Sequence, residues 1–575
     1  MLPVCRRRNG RKNDKGGAVM HRITYRFSRA HAVLCLIVLV YAILSFWNLG
    51  DALAPVTQPD LGEGEGRGCL SYAAFPEPTA LDSLILYKGL GTCGVTVYIP
   101  DESGDNWVEV SRQVCDAIYA WEEIPLSCTT NLICVSIGGD AQAEVYEAGF
   151  LSEERTVVPV LSEGDALFDE QELVPTMATY RNGTYFDEVY HVRTAYEHLQ
   201  GISPYEISHP PLGKLLIALG IAVCGMHPLG WRIVGCLCGI AMIPVLYLLA
   251  KRLFGREDLS LAAAALLSLD FMHFTQTRIA LIDAPAVLLI LLVYLLMYRY
   301  YHSTPEELPY RQALVRLALC GAVMGFGISV KWTVVYAALG LAVLFAIGAV
   351  RRHRLGESAF RTCLWCVLFF GVVPLVIYFL SYLPYFMADP ATPAWKIFWD
   401  NQVYMLTYHG GLDAAHAFSS PWYTWPLMLR PIWYYGAQAL AAEGLCSSIA
   451  AFGNPVVWWC GILCMLLLLL KCRKTRADVF ILIGFAAQYL PWAFITRPTF
   501  IYHFFASVPF IILAAVSVIG DLSTRYQRCR FLLPGLLTCA AVLFVMFYPV
   551  LSGMVVDRGY VMQVLSWLPG WVLGY

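Results

Sequence analysis

The chain has 575 residues, 58% of hydrophobic type and only 14% charged, with mean hydropathy +0.57. A typical soluble protein carries roughly 25% charged residues and has too little interior to hide so much apolar side chain, so a soluble globule is excluded. The net charge of −2, from 40 basic and 42 acidic residues, gives no footprint for a nucleic acid.

In chain order, a basic tail (1–29) precedes an apolar run that ends at Phe46-Trp47-Asn48 without a small-residue cleavage site, and is expected to be an uncleaved first span (30–49). Eleven spanning helices are predicted near 29–48, 229–250, 259–277, 281–300, 312–330, 333–350, 362–384, 454–470, 477–496, 500–520 and 531–550. Each is long enough to cross ~30 Å of hydrocarbon. The run from Leu212 to Gly225 is shorter and is expected to be interfacial or re-entrant. With the N-terminus in the cytoplasm, the inner segments hold 26 of the 40 basic residues and 8 of the 42 acids, the positive-inside pattern. This places spans two to seven at 229–384, spans eight to eleven at 454–550, and the tail 551–575 outside.

Two outward segments are large. Residues 50–180 carry 23 acids against 4 bases and contain short β-like runs such as Val95-Thr96-Val97-Tyr98-Ile99, separated by Gly, Asp and Pro. A small β-rich, sandwich-like insert is expected there, either binding carbohydrate or serving as a spacer. Its five cysteines, Cys69, Cys93, Cys115, Cys128 and Cys134, could form two pairs in an exported domain, with connectivity left open. The external loop 181–228 follows, and a second external loop is expected at 385–453.

The external loops and span ends hold the residues that could do chemistry. Asp187 and Glu188 stand together in Tyr185-Phe186-Asp187-Glu188-Val189-Tyr190-His191, where an Asp could equally cap the helix that follows. His209 lies in Ser208-His209-Pro210-Pro211, Arg232 opens the second span, Asp283 opens the fourth, and Lys331 interrupts an apolar stretch. His409, His416 and Arg497 belong to later external segments. The topology puts all of these on one membrane face. Carboxylates and cations gathered at a lipid–water boundary suit an anionic lipid headgroup and a proton transfer.

The motifs Phe-Asp-Glu-Val-Tyr-His (186–191), Ser-His-Pro-Pro-Leu-Gly-Lys (208–214), Gly-Trp-Arg-Ile-Val-Gly (230–235) and Gly-Ile-Ser-Val-Lys-Trp-Thr (327–333) resemble those of the protein O-mannosyltransferases. The resemblance covers about 181–575. It implies a GT-C glycosyltransferase fold and an inverting transfer of mannose, or a similar hexose, from a polyprenyl-phosphate donor to Ser/Thr hydroxyls of exported proteins. It also implies that Asp187 is the general base and Glu188 orients the acceptor. The donor and its phosphate would meet His209, Arg232, Asp283, Lys331, His409, His416 and Arg497. Ala417 replaces a Pro of the family's later-loop motif. The short 386–453 segment leaves no room for the β-trefoil of the eukaryotic enzymes, so the prokaryotic branch and a multi-pass place in the cell membrane are expected. The expected partners are the lipid-linked sugar, the exported polypeptide and membrane lipid. The residues require no cofactor or metal and leave a divalent ion optional. Two alternatives stand beside this reading: the same fold acting on a lipid or cell-wall glycan, and a lipid or sugar transporter. Against the transporter, no internal repeat is visible and the charges collect at one surface.

Overall fold

The computed structural model describes residues 28–62, 67–161, 164–412, 416–437, 440 and 443–574; most of the basic tail lies outside them. Among the described residues, nine helices are long and apolar enough to cross a membrane. Two expected spans differ. The helix Pro455–Leu470 is shorter than the rest. The span expected at 259–277 is two pieces, α5 (Glu257–Ser268) and α6 (Phe271–Thr277), numbered after α1 (Arg29–Phe46), α2 (Glu188–Gln200), α3 (Leu212–Cys224) and α4 (Pro228–Phe254). The break has a polar cause. Asp270 stops the first piece by capping the second, accepting from the His273 N–H at 3.1 Å, while its other oxygen accepts from Trp458 Nε1 at 2.8 Å.

Basic turns gather at one end of the bundle. Arg256 reaches Thr524 Oγ1 at 3.2 Å, Arg476 lies at the carbonyl of His302, and Arg352 bonds the carbonyls of Ser303 and Leu308. Lys471 joins Asp478 and Asp521 at 2.7 and 2.8 Å. Such turns meet only if the intervening helices alternate in direction, as the charge pattern requires. The opposite end carries 187–214, Lys331, His409 and Arg497. There α7 (Asp283–His302) begins, α8 (Tyr310–Val330) ends at Lys331, and α9 (Val335–His353) begins.

The insert is one six-stranded antiparallel sheet rather than two stacked sheets. Its strands are β1 (Gly68–Lys88), β2 (Cys93–Pro100), β3 (Trp107–Cys115), β4 (Ala120–Gly139), β5 (Val145–Leu151) and β6 (Val157–Val158), in the order β3-β2-β4-β1-β5-β6. The long β1 and β4 pair from Gly68↔Gly138 to Lys88↔Ala120, with register shifts between Ala74 and Thr79 and between Leu81 and Ser83. Bulges bend strands, so both halves of β1, through Phe75 and Leu84, face one core with Val95, Ile133 and Phe150. All five insert cysteines are free thiols, Cys93 opposite Cys115 across β2 and β3.

A second core joins the insert to the bundle. Tyr119, Trp121 and Tyr146 pack with Val192 and Ala195 of α2, with Ile217, Ala218 and Ile221 of α3, and with Trp231 of α4. The short α3 therefore lies between the insert's base and the spans, its apolar inner face buried against α4.

Candidate active site

The first external loop is held from below by a sealed ion pair. Arg232 and Glu188 are both 0% exposed in their side chains and meet at 2.6 Å. Arg232 also donates to the carbonyls of Leu49, Tyr180 and Gly183 at 2.9, 2.7 and 2.8 Å. Glu188 accepts from the N–H of Ala280 at 2.8 Å as well as from Arg232 Nε at 2.8 Å. A guanidinium is satisfied by this set of acceptors and a carboxylate by this set of donors. Arg232, expected at the donor phosphate, and Glu188, expected to orient the acceptor, both face inward, and neither lines the cavity described below. Arg278 does the same work nearby, donating to the carbonyls of Ser45, Trp47 and Asn48, which close the end of α1.

Asp187, one residue away, is placed quite differently. It occupies the cap position of α2, yet its side chain makes no capping hydrogen bond. Phe186 before it is in the left-handed region at φ 51° and rests on the Tyr434 ring, centroids 4.3 Å apart. A non-glycine residue held there is costly and persists where surrounding structure over-determines it. Burial pushes the Asp187 carboxyl up to about 6; Lys331 opposes the rise, and Asp283 and Glu206 add to it. A carboxyl left unpaired and poised near neutrality is the condition a general base needs.

Near it lies a cavity of about 590 Å³ at the end of the bundle opposite the basic turns. His209, Lys331, His409 and Arg497 supply its polar wall, and Trp332, Val335, Tyr336, Leu406, Phe494 and Ile495 much of its apolar wall. The structure thus brings together four of the expected donor-site residues. Lys331 is fixed by Asp283, its Nζ lying 2.8 and 2.9 Å from the two carboxylate oxygens. Asp283 itself opens onto a narrow adjoining pocket shared with Tyr502 and His503. Asp187 is not a lining residue; it stands within electrostatic reach of the Lys331–Asp283 pair. His416 is exposed, edge-on to Phe500 at 4.9 Å, and does not line the cavity.

Burial biases both cavity histidines toward the neutral form. His409 donates Nε2–H to the Ser208 carbonyl at 2.8 Å, and its Nδ1 is buried without a partner. Burial and the neighbouring His209 and Arg497 push it down to about 4. Burial also lowers His209, against the pull of Glu206, whose Oε1 lies 3.2 Å from its Nδ1. A neutral ring that spends its N–H on a carbonyl or carboxylate offers only a lone pair, which suits a sugar hydroxyl rather than a phosphate oxygen.

Glu206 and Lys214 were missed. Although burial opposes ionisation, Lys214 and His209 hold the Glu206 carboxyl well below the usual range. Lys214 Nζ reaches Glu206 Oε2 at 2.6 Å and the carbonyl of His209 at 2.9 Å. The acid three residues before His209 and the Lys five after it were the available signals, since a turn closing over Pro210-Pro211 brings both to the imidazole.

Known proteins resemble this chain in sequence and in fold. Residues 208–378 match the dolichyl-phosphate-mannose-protein mannosyltransferase family, and 394–476 and 471–571 match the C-terminal four-TMM region of protein O-mannosyltransferases. A polyprenol-phosphate-mannose–protein mannosyltransferase of Mycolicibacterium smegmatis is 25% identical over 459 residues, 67% of this chain and 87% of the relative. One of the same name from Corynebacterium glutamicum is 25% identical over 472 residues, 68% and 89%. The structure of the Saccharomyces cerevisiae Pmt1-Pmt2 complex bound to the sugar donor shares the fold, with a TM-score of 0.59 at 14% identity over 68% of this chain and 89% of that one.

Proposed function

We propose that this chain, which belongs to the dolichyl-phosphate-mannose-protein mannosyltransferase family, moves mannose from a polyprenyl phosphate to Ser or Thr hydroxyls of exported polypeptides at the outer face of the cell membrane. The observation that carries the catalytic reading is an unengaged carboxyl, raised by burial, within electrostatic reach of the fixed ammonium that lines the cavity: Asp187 near Lys331–Asp283. Residues between the basic turns and this cavity span the membrane, so a lipid tail can stay in the bilayer while its headgroup reaches the polar wall.

The step balances simply. The acceptor oxygen bonds to the anomeric carbon of mannose as its proton passes to Asp187. The bond from that carbon to the phosphate oxygen breaks, and the polyprenyl phosphate leaves as an anion. Lys331 stabilises the charge that builds on this leaving group, with Arg497 as a second cation at the wall. Attack opposite the phosphate inverts the anomeric centre, as one base with no covalent intermediate requires. His209 and His409 hold sugar hydroxyls through their free nitrogens, and the apolar wall receives the first isoprene units. Arg232 and Glu188 act on the loop, not on the phosphate.

The test is transfer in membranes from labelled polyprenyl-phosphate mannose to a Ser/Thr-rich exported polypeptide. Label released from protein by alkaline β-elimination supports the proposal. Label that stays in the lipid or glycan fraction assigns the acceptor to that class instead, and no transfer at all counts against the activity.

A further inference from the structure

The insert touches the loop that carries Asp187 at Gly183 and Thr184, just before its strained turn. Thr184 Oγ1 donates to the carbonyl of Ile118, and the Thr184 N–H donates to the carbonyl of Tyr119 at 3.1 Å. Gly183 lies so close to the start of β4 that a Cβ there would stand 2.6 Å from the Ala120 Cβ, so only glycine fits. Tyr119 itself sits at φ 46°. Its hydroxyl donates to Glu144 Oε2 at 3.0 Å, the same carboxylate accepts from Tyr146 at 3.2 Å, and its other oxygen accepts from Tyr196 of α2 at 3.3 Å. Arg193 of α2 adds a bond to Gln142 at 3.1 Å. These contacts reach residues on both sides of Asp187 in the chain.

We infer that the insert is a positioning element for Asp187: the Ile118–Ala120 turn and the Glu144–Tyr119–Tyr196 network press on the loop from outside while the Glu188–Arg232 pair holds it from inside. The loop is gripped at Gly183 from both directions, since its carbonyl accepts from Arg232 and its α-carbon abuts Ala120. A tethered spacer needs none of this, because a spacer works equally well with a loose junction. The difference matters because a catalytic group displaced by 1 Å can lose about 100-fold in rate. The inference rests on Asp187 as the base, and adds that the insert sets where its carboxylate points.

The full-length enzyme in detergent or nanodiscs tests it through Thr184→Val, Thr184→Ser, Tyr119→Phe and Asp187→Asn. Thr184→Val is expected to lower kcat about 10- to 100-fold, leave the donor KM unchanged and move the acidic midpoint of the pH profile. Thr184→Ser, which keeps the hydroxyl, is expected to restore kcat to within about twofold of the parent. Tyr119→Phe removes one hydroxyl and keeps the ring, so it folds if Thr184→Val does not, and is expected to shift kcat and the midpoint in the same direction. Variants that lower only the yield of folded protein, with kcat and pH midpoint unmoved, reduce the insert to a scaffold and overturn the inference. An active Asp187→Asn overturns the base assignment and this inference together, whereas an inactive Asp187→Asn with unaltered insert variants overturns the inference alone.

Discussion

Two neighbouring regions at the end of this protein opposite its basic turns are built from the same residue types and differ in whether their charges are spent. Beneath the first external loop, Glu188 and Arg232 consume each other and a ring of backbone groups, with no side-chain surface left exposed. Beside it, Asp187 has no capping bond, Lys331 has one ion-pair partner among the described residues, and His409 keeps an unpartnered nitrogen. A saturated pair can only fix geometry, because any new ligand has to displace an existing partner from a low-dielectric site. An unsaturated group can accept a substrate or a proton. The difference in saturation, more than identity or sequence position, separates the groups that hold the loop from those that act.

The sharpest way to break this comparison is to remove the reactive acid. Asp187→Asn is expected to lower kcat about 10²- to 10⁴-fold, the range for a lost general base, with the protein still folded. Stability should move the other way. The folded state binds the Asp187 proton more tightly than the unfolded chain does, so ionisation costs stability as pH rises from the ordinary Asp value through about 6. The Asn variant escapes that cost and should unfold at a higher temperature than the parent above pH 6, a difference that vanishes below pH 4. Activity of the parent should rise with pH through about 6 and then level off. An activity profile flat from pH 5 to 8 contradicts the assignment.

The saturated pair should show the reverse signature. Arg232→Met or Glu188→Ala leaves one buried charge uncompensated, at a cost of about 3–5 kcal/mol. Thermal unfolding in detergent should detect it as a large fall in midpoint, with residual kcat per folded molecule reduced far less than in Asp187→Asn. The double change Glu188→Leu/Arg232→Met should recover much of the stability. If Arg232→Met instead raises the donor KM in fully folded protein, the guanidinium meets the phosphate after all and the division drawn here fails. Lys331→Met tests the other side. A hydrogen bond to a charged group is worth about 1.5–3 kcal/mol, so kcat/KM for the lipid-linked donor should fall about 10- to 150-fold with the folded yield preserved.

Most of the bundle was legible in the sequence because a spanning helix announces itself by one uniform property over about 20 residues. The exception at Asp270 is instructive: a single capping acid inside an apolar run splits a helix, and its partner Trp458 comes from a distant part of the chain. The insert's strands were visible as alternating runs, but the pairing of β1 with β4 across some fifty residues was not, since register depends on bulges with no local signature. At the site, the alternation of spans and charged loops places His209, Lys331, His409 and Arg497 at one end of the bundle, and they line one cavity there. What could not be read is direction. Arg232 and Lys331 look alike as lone cations at span ends, and only the three-dimensional positions of Leu49, Tyr180 and Gly183 show that Arg232 is already occupied.

His416 gives the smallest effect and the cleanest contrast with His409. Both belong to the second external loop, and by sequence both are equal candidates for the donor site. His409 lines the cavity, anchored by the Ser208 carbonyl with its other nitrogen buried and unpartnered, while His416 is solvent-exposed against the ring of Phe500. Surface substitutions away from special contacts stay within about 0.5 kcal/mol, so His416→Ala should change kcat/KM by no more than about twofold. His409→Phe keeps the ring's bulk and removes the acceptor, and should raise the KM for the mannosyl donor without shifting the acidic midpoint set by Asp187. Competition with polyprenyl phosphate lacking the sugar separates the possibilities. If His409 holds a mannose hydroxyl, the variant weakens binding of the sugar-bearing donor and leaves binding of the bare phosphate unchanged. Equal weakening of both would assign the imidazole to the phosphate, and would mean that ligand binding protonates it against the burial that keeps it neutral here.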